Sequence, residues 1–221
     1  MKYSVIIPVH NEADLIVPAI SYLKTLHQNL EIIVVDGQST DDTASLAAAA
    51  GVQVVDAPKS RGVQCNLGRI AATGDILFFI HVDTRIPLDA FTQIEQTFAE
   101  KEVNIATFRM RFDQDHFWLN IYSHFTQYDS IWTRFGDQCI VVRKKFFDQL
   151  RGFPDWPLFE DVRFLEKARQ MSKIHSLPGP AVTSARRFKK NGILYNQIRN
   201  ALLLIQYQCG VSVHKLAEQY R

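Results

Sequence analysis

The stretch Gly74–Arg85, GDILFFIHVDTR, decides the fold. Its apolar run Ile76–Ile80 is too short for an isolated helix and shows no alternation, which predicts a strand buried on both faces. The run ends in His81 and Asp83, so a carboxylate follows directly after a core strand. Ligands of open parallel α/β sheets bind beyond the carboxyl ends of the strands, where Asp83 is therefore expected. Its carboxylate could bind a hard cation that carries phosphate oxygens, or it could cap the segment that follows.

Strands alternate with helices through the first half of the chain. Tyr3–Val9, Glu31–Val35 and Val52–Val55 are short runs rich in β-branched residues, and helical stretches separate them from one another and from Ile76–Ile80. This alternation predicts a parallel sheet with right-handed crossovers. The expected fold class is α/β, with a mainly parallel central sheet flanked by helices.

The second half of the chain is expected to complete this sheet. Its pattern predicts a helix over Leu88–Glu100 and an alternating strand over Val103–Phe112. His116–Trp132 is rich in aromatic residues at helical spacing, which predicts a helix whose rings pack in the core rather than form a sugar platform. Short strands are expected over Cys139–Val142 and Ala181–Ala185.

Length and composition describe an ordinary globular protein. The chain has 221 residues, of which 47% are hydrophobic and 22% charged, and its net charge is +2. This length suits one large domain, and so small a charge gives no reason to expect nucleic acid as a partner. The three cysteines, Cys65, Cys139 and Cys209, have no paired spacing, which argues against a zinc site or a disulfide framework and fits a reducing compartment.

Targeting signals and membrane spans are not predicted. The amino terminus runs straight into a strand instead of the apolar core of a signal peptide. No apolar run approaches the ~18 residues that a membrane-spanning helix needs. We therefore expect a cytoplasmic protein.

Polar residues stand at the ends of three predicted strands. Asn11 and Glu12 follow the first strand, Asp36 the second and Asp83 the fourth. Carboxylates at one edge of a sheet repel each other unless a cation or hydrogen-bond donors lie among them, so a metal ion with a donor-rich ligand would explain the set. Asp36 taken singly could instead cap the next helix.

Two further charged pairs are candidates for function. Lys59 and Arg61 could contact a pyrophosphate or belong to a solvated basic loop. Glu160 and Asp161 begin a predicted helix, where acidic residues are favoured by the helix dipole and Glu160 could pair with Arg163. The glycine-rich patterns of dinucleotide and phosphate loops do not occur in the sequence.

Taken together, these segments resemble glycosyltransferase family 2. The resemblance rests on Val5–Glu12 (VIIPVHNE), Ile33–Thr43 (IVVDGQSTDDT) and the run from Arg61 to Asp83, and it extends to about Ala185. Phe135–Gln138 (FGDQ) and the stretch from Gly152 to Val162 also resemble the short subgroup of radical-SAM/selenodomain-associated transferases. The resemblance implies a GT-A fold and an inverting glycosyltransferase of the hexosyltransferase type. Its donor would be a nucleoside-diphosphate sugar, and a UDP-sugar is expected first.

The resemblance also implies roles for single residues. Pro8, Asn11 and Glu12 would frame the nucleoside, and Asp36 would bind its base. Cys65 stands where many members of the family carry Arg, so Lys59 or Arg61 would have to contact the phosphates. The expected nucleotide-binding set is Pro8, Asn11, Glu12, Asp36, Lys59, Arg61 and Asn66.

The expected metal ligand and general base follow from the same resemblance. Asp83 matches the last position of the D-x-D element that binds Mg²⁺ or Mn²⁺, and His81 stands in place of its first Asp. This exchange leaves fewer anionic ligands for the metal. Asp161 matches the general base that takes the proton of the acceptor hydroxyl, and Glu160 lies beside it in the catalytic pair.

The expected organisation is a catalytic domain over 1–190, with a nucleotide-binding half over 1–100 and an acceptor half over 101–190, followed by a helical appendage over 191–221. Arg186-Arg187-Phe188 matches the end motif of processive synthases only loosely. Apolar residues from Ile193 to Cys209 recur at helical spacing, after a basic stretch that includes Lys189 and Lys190.

Three roles are open for the helix over 193–209. It could cover the core of its own domain, pair two subunits in a homodimer, or lie at the inner membrane face near a lipid-linked acceptor. Packing against protein is expected first, because Leu202–Ile205 makes the helix apolar on more than one face.

Two other functions also remain open. A sugar-1-phosphate nucleotidyltransferase has a similar sheet, but its usual glycine-rich basic loop is replaced here by Pro8–Glu12. A non-catalytic module that binds nucleotide sugars would explain His81 as a sign of lost chemistry. Hydrolysis of UDP-sugars with and without Mn²⁺ would distinguish an enzyme from such a module.

Overall fold

A computed structural model describes residues 1–185 and 192–220. The strands of these residues are β1 (Tyr3–Val9), β2 (Glu31–Asp36), β3 (Gln53–Asp56), β4 (Ile76–Phe79), β5 (Ile105–Phe112), β6 (Ile140–Arg143) and β7 (Ile174–Thr183). They form one sheet in the order β3-β2-β1-β4-β6-β5-β7. Neighbouring strands are parallel except at β6, which runs antiparallel to both β4 and β5. The predicted α/β class with a mainly parallel sheet is confirmed.

Helices cover both faces of the sheet. They are α1 (Ala13–Leu26), α2 (Thr43–Ala49), α3 (Arg61–Ala71), α4 (Ala90–Phe98), α5 (Phe117–Phe125), α6 (Lys144–Gln149), α7 (Glu160–Met171), α8 (Ile193–Gln208) and α9 (Val213–Tyr220). Alternate residues of a strand point to opposite faces. Val5 and Ile7 therefore join the core under α1 and α4, while Ile6 joins the core under α3 and α7.

Strand β4 is buried along its whole length, as its unbroken apolar sequence predicts. Phe78 packs against Phe91 and Phe108 on one face of the sheet. Phe79 packs against Phe147 and Phe153 on the other face. The strand that decides the fold thus joins both cores and delivers His81 and Asp83 to the carboxyl edge of the sheet.

Strand β7 differs from the prediction. It begins at Ile174 rather than Ala181 and runs through Pro178, Gly179 and Pro180. The register with β5 shifts at Phe108, so the extra residues of β7 are accommodated as a bulge. Proline is tolerated there because β7 lies at the edge of the sheet.

The aromatic segment after β5 also differs from the prediction. The helix ends at Phe125 instead of continuing to Trp132. The expected core packing is wrong for most of the rings, because five of them are between 42% and 68% exposed: Phe117, Trp118, Phe125, Tyr128 and Trp132. Tyr122 packs against Phe112, but this third apolar cluster is small and has little surface to cover more rings.

Helix α8 packs on the rest of the described chain. Leu203 and Leu204 of α8 are buried, and the Tyr207 hydroxyl donates a hydrogen bond of 2.8 Å to Glu166 of α7. Ile198 and Leu202 of α8 are exposed. The expected packing role is thus found for one face of the helix, while Arg186-Arg187-Phe188, Lys189 and Lys190 lie outside the described residues.

The described helices, in residues 1–185 and 192–220, include none that is both long and apolar enough to cross a membrane.

Candidate active site

The loops after β1 and β2 are tied together at the carboxyl edge. The Asn11 backbone N–H donates to the Ser39 hydroxyl at 2.9 Å, and the Thr40 N–H donates to the Asn11 side chain at 2.8 Å. Glu12 is anchored by its N–H, which donates to the Thr43 hydroxyl at 2.8 Å. Asn11 has a φ of 55°, which is strained for a residue other than glycine. These contacts hold two predicted nucleoside-binding residues in place.

Asp36 is buried at the end of β2, with 5% of its surface exposed. One carboxylate oxygen accepts the Ser39 N–H at 2.9 Å. The other oxygen, Oδ1, has no hydrogen-bond partner within the described part of the chain. Asp36 does not cap α2, which begins after Asp42. A buried acceptor without a partner is what a donor group of a bound ligand would satisfy.

The buried Glu160 at the start of α7 forms an ion pair with the partly exposed Arg61. Arg61 Nε donates to the Glu160 carboxylate, of which only 3% is exposed. Burial raises the pKa of Glu160, and Arg61 opposes that rise. The alternative pairing of Glu160 with Arg163 is not found, because Arg163 contacts Glu166 at 3.3 Å. Glu160 is therefore an interior carboxylate rather than a surface residue of the helix.

Asp161 is positioned by backbone groups. One of its oxygens accepts the Gly136 N–H at 2.7 Å, and the other accepts the Val162 N–H at 2.8 Å. Gly136 permits this approach, since a Cβ at that position would lie 2.9 Å from the carboxylate. The carboxylate thus has a fixed orientation relative to the short 3-10 turn Gly136–Gln138.

The same turn brings Asp137 to the predicted metal-binding residues. Its carboxylate lies 3.6 Å from His81 Nε2. Burial raises the pKa of the neighbouring Cys139 thiol, and the charges of Asp137 and Asp83 raise it further. Sequence reasoning assigned no role to Asp137. The polar Gly-Asp-Gln break before a buried strand is the signal that could have identified it.

These residues include carboxylate ligands for a divalent metal but do not form a complete metal site. No group of three or more His, Cys, Asp and Glu side chains in residues 1–185 and 192–220 is arranged to hold a metal ion. Asp83 and Asp137 nevertheless offer the oxygen ligands that Mg²⁺ and Mn²⁺ prefer. Mg²⁺ commonly binds through one or two carboxylates together with the phosphates of a substrate. Asp83 and Asp137 are therefore donors of the right chemical type, and a bound metal stays a prediction.

Neither Lys59 nor Asn66 lines the two cavities that Arg61 and Asp161 border. The Asn66 side chain donates to the Phe153 carbonyl at 2.8 Å and accepts the Phe153 N–H at 3.0 Å. A Cβ on Gly152 would lie 2.4 Å from the same side chain, so glycine is required there. Asn66 thus fastens α3 to the turn before α7. Lys59 is exposed in the loop after β3.

Arg61 and Asp161 border two adjacent cavities. The smaller one, of only about 30 Å³, lies at the strand ends and is also lined by Pro8, His81 and Glu160. The larger one, of about 380 Å³, lies between the aromatic segment and α8. Asp83 instead borders a third cavity, of about 240 Å³, beside Tyr22 and Arg85. Asp161 is therefore reached from two sides.

Comparison with known families identifies the family of this chain. The family model "Glycosyl transferase family 2" matches residues 4–152. The chain belongs to glycosyltransferase family 2. The resemblance of its strand-end motifs to this family is confirmed, and the protein is a glycosyltransferase. The narrower resemblance to the radical-SAM-associated subgroup stays a prediction, and no curated protein sequence matches the chain.

Solved structures show the fold of this glycosyltransferase. S. aureus TarS 1-349 in complex with UDP-GlcNAc has a TM-score of 0.70 at 20% identity, over 93% of this chain and 66% of that one. The mannosyltransferase PcManGT from Pyrobaculum calidifontis in complex with GDP-Man and Mn²⁺ has a TM-score of 0.72 at 19% identity, over 99% and 69%. The glycosyltransferase thus spans about two thirds of each of these two chains.

A third structure is glucosyl-3-phosphoglycerate synthase from Mycobacterium tuberculosis, in complex with Mn²⁺, UDP-Glc and glycerol 3-phosphate. Its TM-score is 0.64 at 18% identity, over 96% of this chain and 81% of that one. At such identities the likeness concerns the fold alone. The predicted GT-A architecture is confirmed.

Proposed function

We propose that the protein transfers a sugar from a nucleoside-diphosphate sugar, a UDP-sugar first, to the hydroxyl of an acceptor with inversion of the anomeric centre. The observation that carries this proposal is the position of Asp161, which borders both the cavity at the strand ends and the larger cleft beside α8. A donor bound along the strand ends, with its sugar at the small cavity, and an acceptor in the larger cleft would meet at this carboxylate.

The donor would bind at the strand ends. The unpartnered Oδ1 of Asp36 would accept a hydrogen bond from the base, with Pro8, Asn11 and Glu12 around the nucleoside. Nucleotide sugars with uracil and with guanine occur in the structures that share this fold, which supports a donor of this class. Lys59 and Arg61 would bind the phosphates of the donor. Arg61 also donates a hydrogen bond to the Glu160 carboxylate.

Asp161 would act as the general base. Its two backbone hydrogen bonds orient the carboxylate, so that it can accept the proton of a hydroxyl in the larger cleft. The hydroxyl oxygen attacks the anomeric carbon while the bond to the nucleoside diphosphate breaks on the opposite face. Single displacement of this kind inverts the anomeric centre. Glu160, paired with Arg61, would position α7 and keep Asp161 in place.

A divalent cation would be held by Asp83, with Asp137 and His81 nearby. When bound with the donor, Mg²⁺ or Mn²⁺ would neutralise charge on the departing pyrophosphate. Two structures with the same fold are complexes with Mn²⁺, which supports this cofactor.

Release of nucleotide from a panel of UDP-sugars and GDP-mannose, with and without Mn²⁺, tests the proposal. We expect slow release of nucleoside diphosphate from at least one donor, with the Asp161→Asn variant inactive. Binding of a nucleotide sugar without any turnover would favour a binding module. Release of pyrophosphate from UTP and a sugar 1-phosphate would favour a nucleotidyltransferase.

A further inference from the structure

The larger cleft has a chemical character of its own. Met110 and Phe112 of β5, Tyr122 of α5, and Trp132 and Phe135 of the following turns form one wall. The opposite side is mixed: Ala201 and Leu204 of α8 lie beside the amide side chains of Gln197 and Asn200, and Tyr220 of α9 also lines it. An aromatic wall such as the first is typical of sites that bury the body of a small molecule.

The charged groups of the cleft lie together. Asp161 and Asp137 are close to Arg61, whose guanidinium already pairs with Glu160. A ligand that reaches Asp161 with a hydroxyl would therefore lay the rest of its body between the aromatic wall and α8. The volume of about 380 Å³ falls within the range of sites for small molecules.

Helix α8, on one side of the cleft, lies outside the residues that the family model matches. The match covers residues 4–152, whereas α8 begins at Ile193. Ala201 is small enough to leave the cleft open between Leu204 and the rings opposite. The aromatic wall reaches the protein surface, because Trp132 is 49% exposed. Exposed apolar area next to a catalytic carboxylate marks a binding surface.

We propose that the acceptor carries its reactive hydroxyl on an apolar body, a hydrocarbon chain or ring system, which binds between Trp132 and α8. This inference rests on the proposed function only in taking Asp161 as the reacting end of the cleft. An apolar alcohol could be a free amphiphile or a lipid in a bilayer, and both have the same chemistry at the cleft.

Calorimetric titration with two glucosides tests the inference without requiring turnover. Octyl β-glucoside, kept below its micelle concentration, has the same head as methyl β-glucoside and differs in its apolar tail. The wild-type protein should bind the octyl compound roughly tenfold or more tightly, since burial of only a few methylene groups has that effect. Equal affinities would overturn the proposal, whatever the fate of the proposed donor.

Filling the cleft supplies the control. Ala201→Trp and Asn200→Trp should each abolish the preference for the octyl tail, because both positions line the cleft. Leu202→Trp, on the exposed side of the same helix, should keep it. UDP binding and thermal unfolding should be unchanged in all three variants. A tail preference that survives in both filled variants would reveal adsorption to exposed rings and contradict the proposal.

Flotation with vesicles of anionic phospholipid separates the two sources of acceptor. A tail preference together with flotation at low salt assigns a lipid in a bilayer. A tail preference without flotation assigns a soluble apolar alcohol. Both results support the proposed apolar acceptor. Only equal binding of the octyl and methyl glucosides by the wild-type protein, or a preference that survives in both filled variants, would refute it.

Discussion

The polar groups at the amino edge and at the carboxyl edge of the parallel half of the sheet differ in their hydrogen bonding. At the amino edge, the Glu31 carboxylate accepts the Thr73 N–H at 2.8 Å and the Thr73 hydroxyl at 2.5 Å. Ser4 also donates to Glu31, and it accepts the Gly74 N–H at 2.8 Å. Every one of these groups is paired inside the protein.

At the carboxyl edge, several residues adopt positive φ angles and one buried carboxylate oxygen lacks a partner in the described residues. Positive φ angles occur at four non-glycine residues around the site: Asn11, Gln38, Cys139 and Phe159. Asp36 keeps one buried oxygen without a partner in the described residues. Strain and unsatisfied groups persist where surrounding structure enforces them and where function uses them. The contrast supports the proposed donor site at the carboxyl edge.

The largest effect on stability is expected from removing the cation that pairs with the buried Glu160 at the carboxyl edge. Arg61→Met leaves the Glu160 carboxylate buried without its cation and should cost about 3 kcal/mol of unfolding free energy at pH 8. The pKa of Glu160 is already raised by burial and should rise further without Arg61. Stability from a raised carboxyl pKa is present at low pH and lost as pH rises, so the cost should shrink at pH 5.

Denaturant unfolding at both pH values checks this prediction. Arg69→Met is the matched control, since Arg69 pairs with the partly exposed Asp148 and should lose less than about 1 kcal/mol at either pH. An equal loss at pH 5 and pH 8 for Arg61→Met would mean that Glu160 is not the group left unpaired.

A smaller effect, on binding alone, is expected for Asp36→Asn. Loss of the carboxylate should weaken UDP binding by roughly tenfold, because a hydrogen bond to a charged acceptor is lost. The unfolding free energy should hold or rise slightly, since the buried oxygen already lacks a partner. Asp56→Asn is the control, because Asp56 is the exposed neighbour of Asp36 in register on β3. Weaker UDP binding in both variants would argue against a specific contact.

The smallest effect is expected at the amino edge. Glu31→Gln should lower the unfolding free energy by about 1 kcal/mol at neutral pH while turnover stays unchanged. Burial opposes the charge, but the hydrogen bonds from Ser4 and Thr73 lower the pKa of Glu31. A lowered carboxyl pKa gives stability that is lost as pH falls, so the variant should be less acid-sensitive. Reduced turnover would show that the two edges are not separate in function.

The sequence predicted the parallel strands well because each is a short apolar run with a clear polar end. Asn11, Glu12, Asp36 and Asp83 could be placed at one edge on that basis alone. The start of β7 was missed, since a bulge at an edge strand accepts Pro178 and Pro180 against the usual rule.

Contacts between segments that are distant in the chain could not be predicted from the sequence. The Arg61–Glu160 pair joins α3 to α7, and the Asp137 contact with His81 joins two strand ends. Neither pairing has a local pattern. The exposure of Trp132 was also unpredictable, because helical spacing of rings indicates an apolar face but not which surface will cover it.

Turnover by Asp161→Asn, compared with Glu160→Gln, tests the central claim most directly. The Asn side chain keeps the size of Asp161 but cannot accept the acceptor proton. Turnover should fall by about 10² or more while donor binding, measured by calorimetry, is unchanged. Normal turnover by Asp161→Asn together with an inactive Glu160→Gln would contradict the account and assign the base to Glu160.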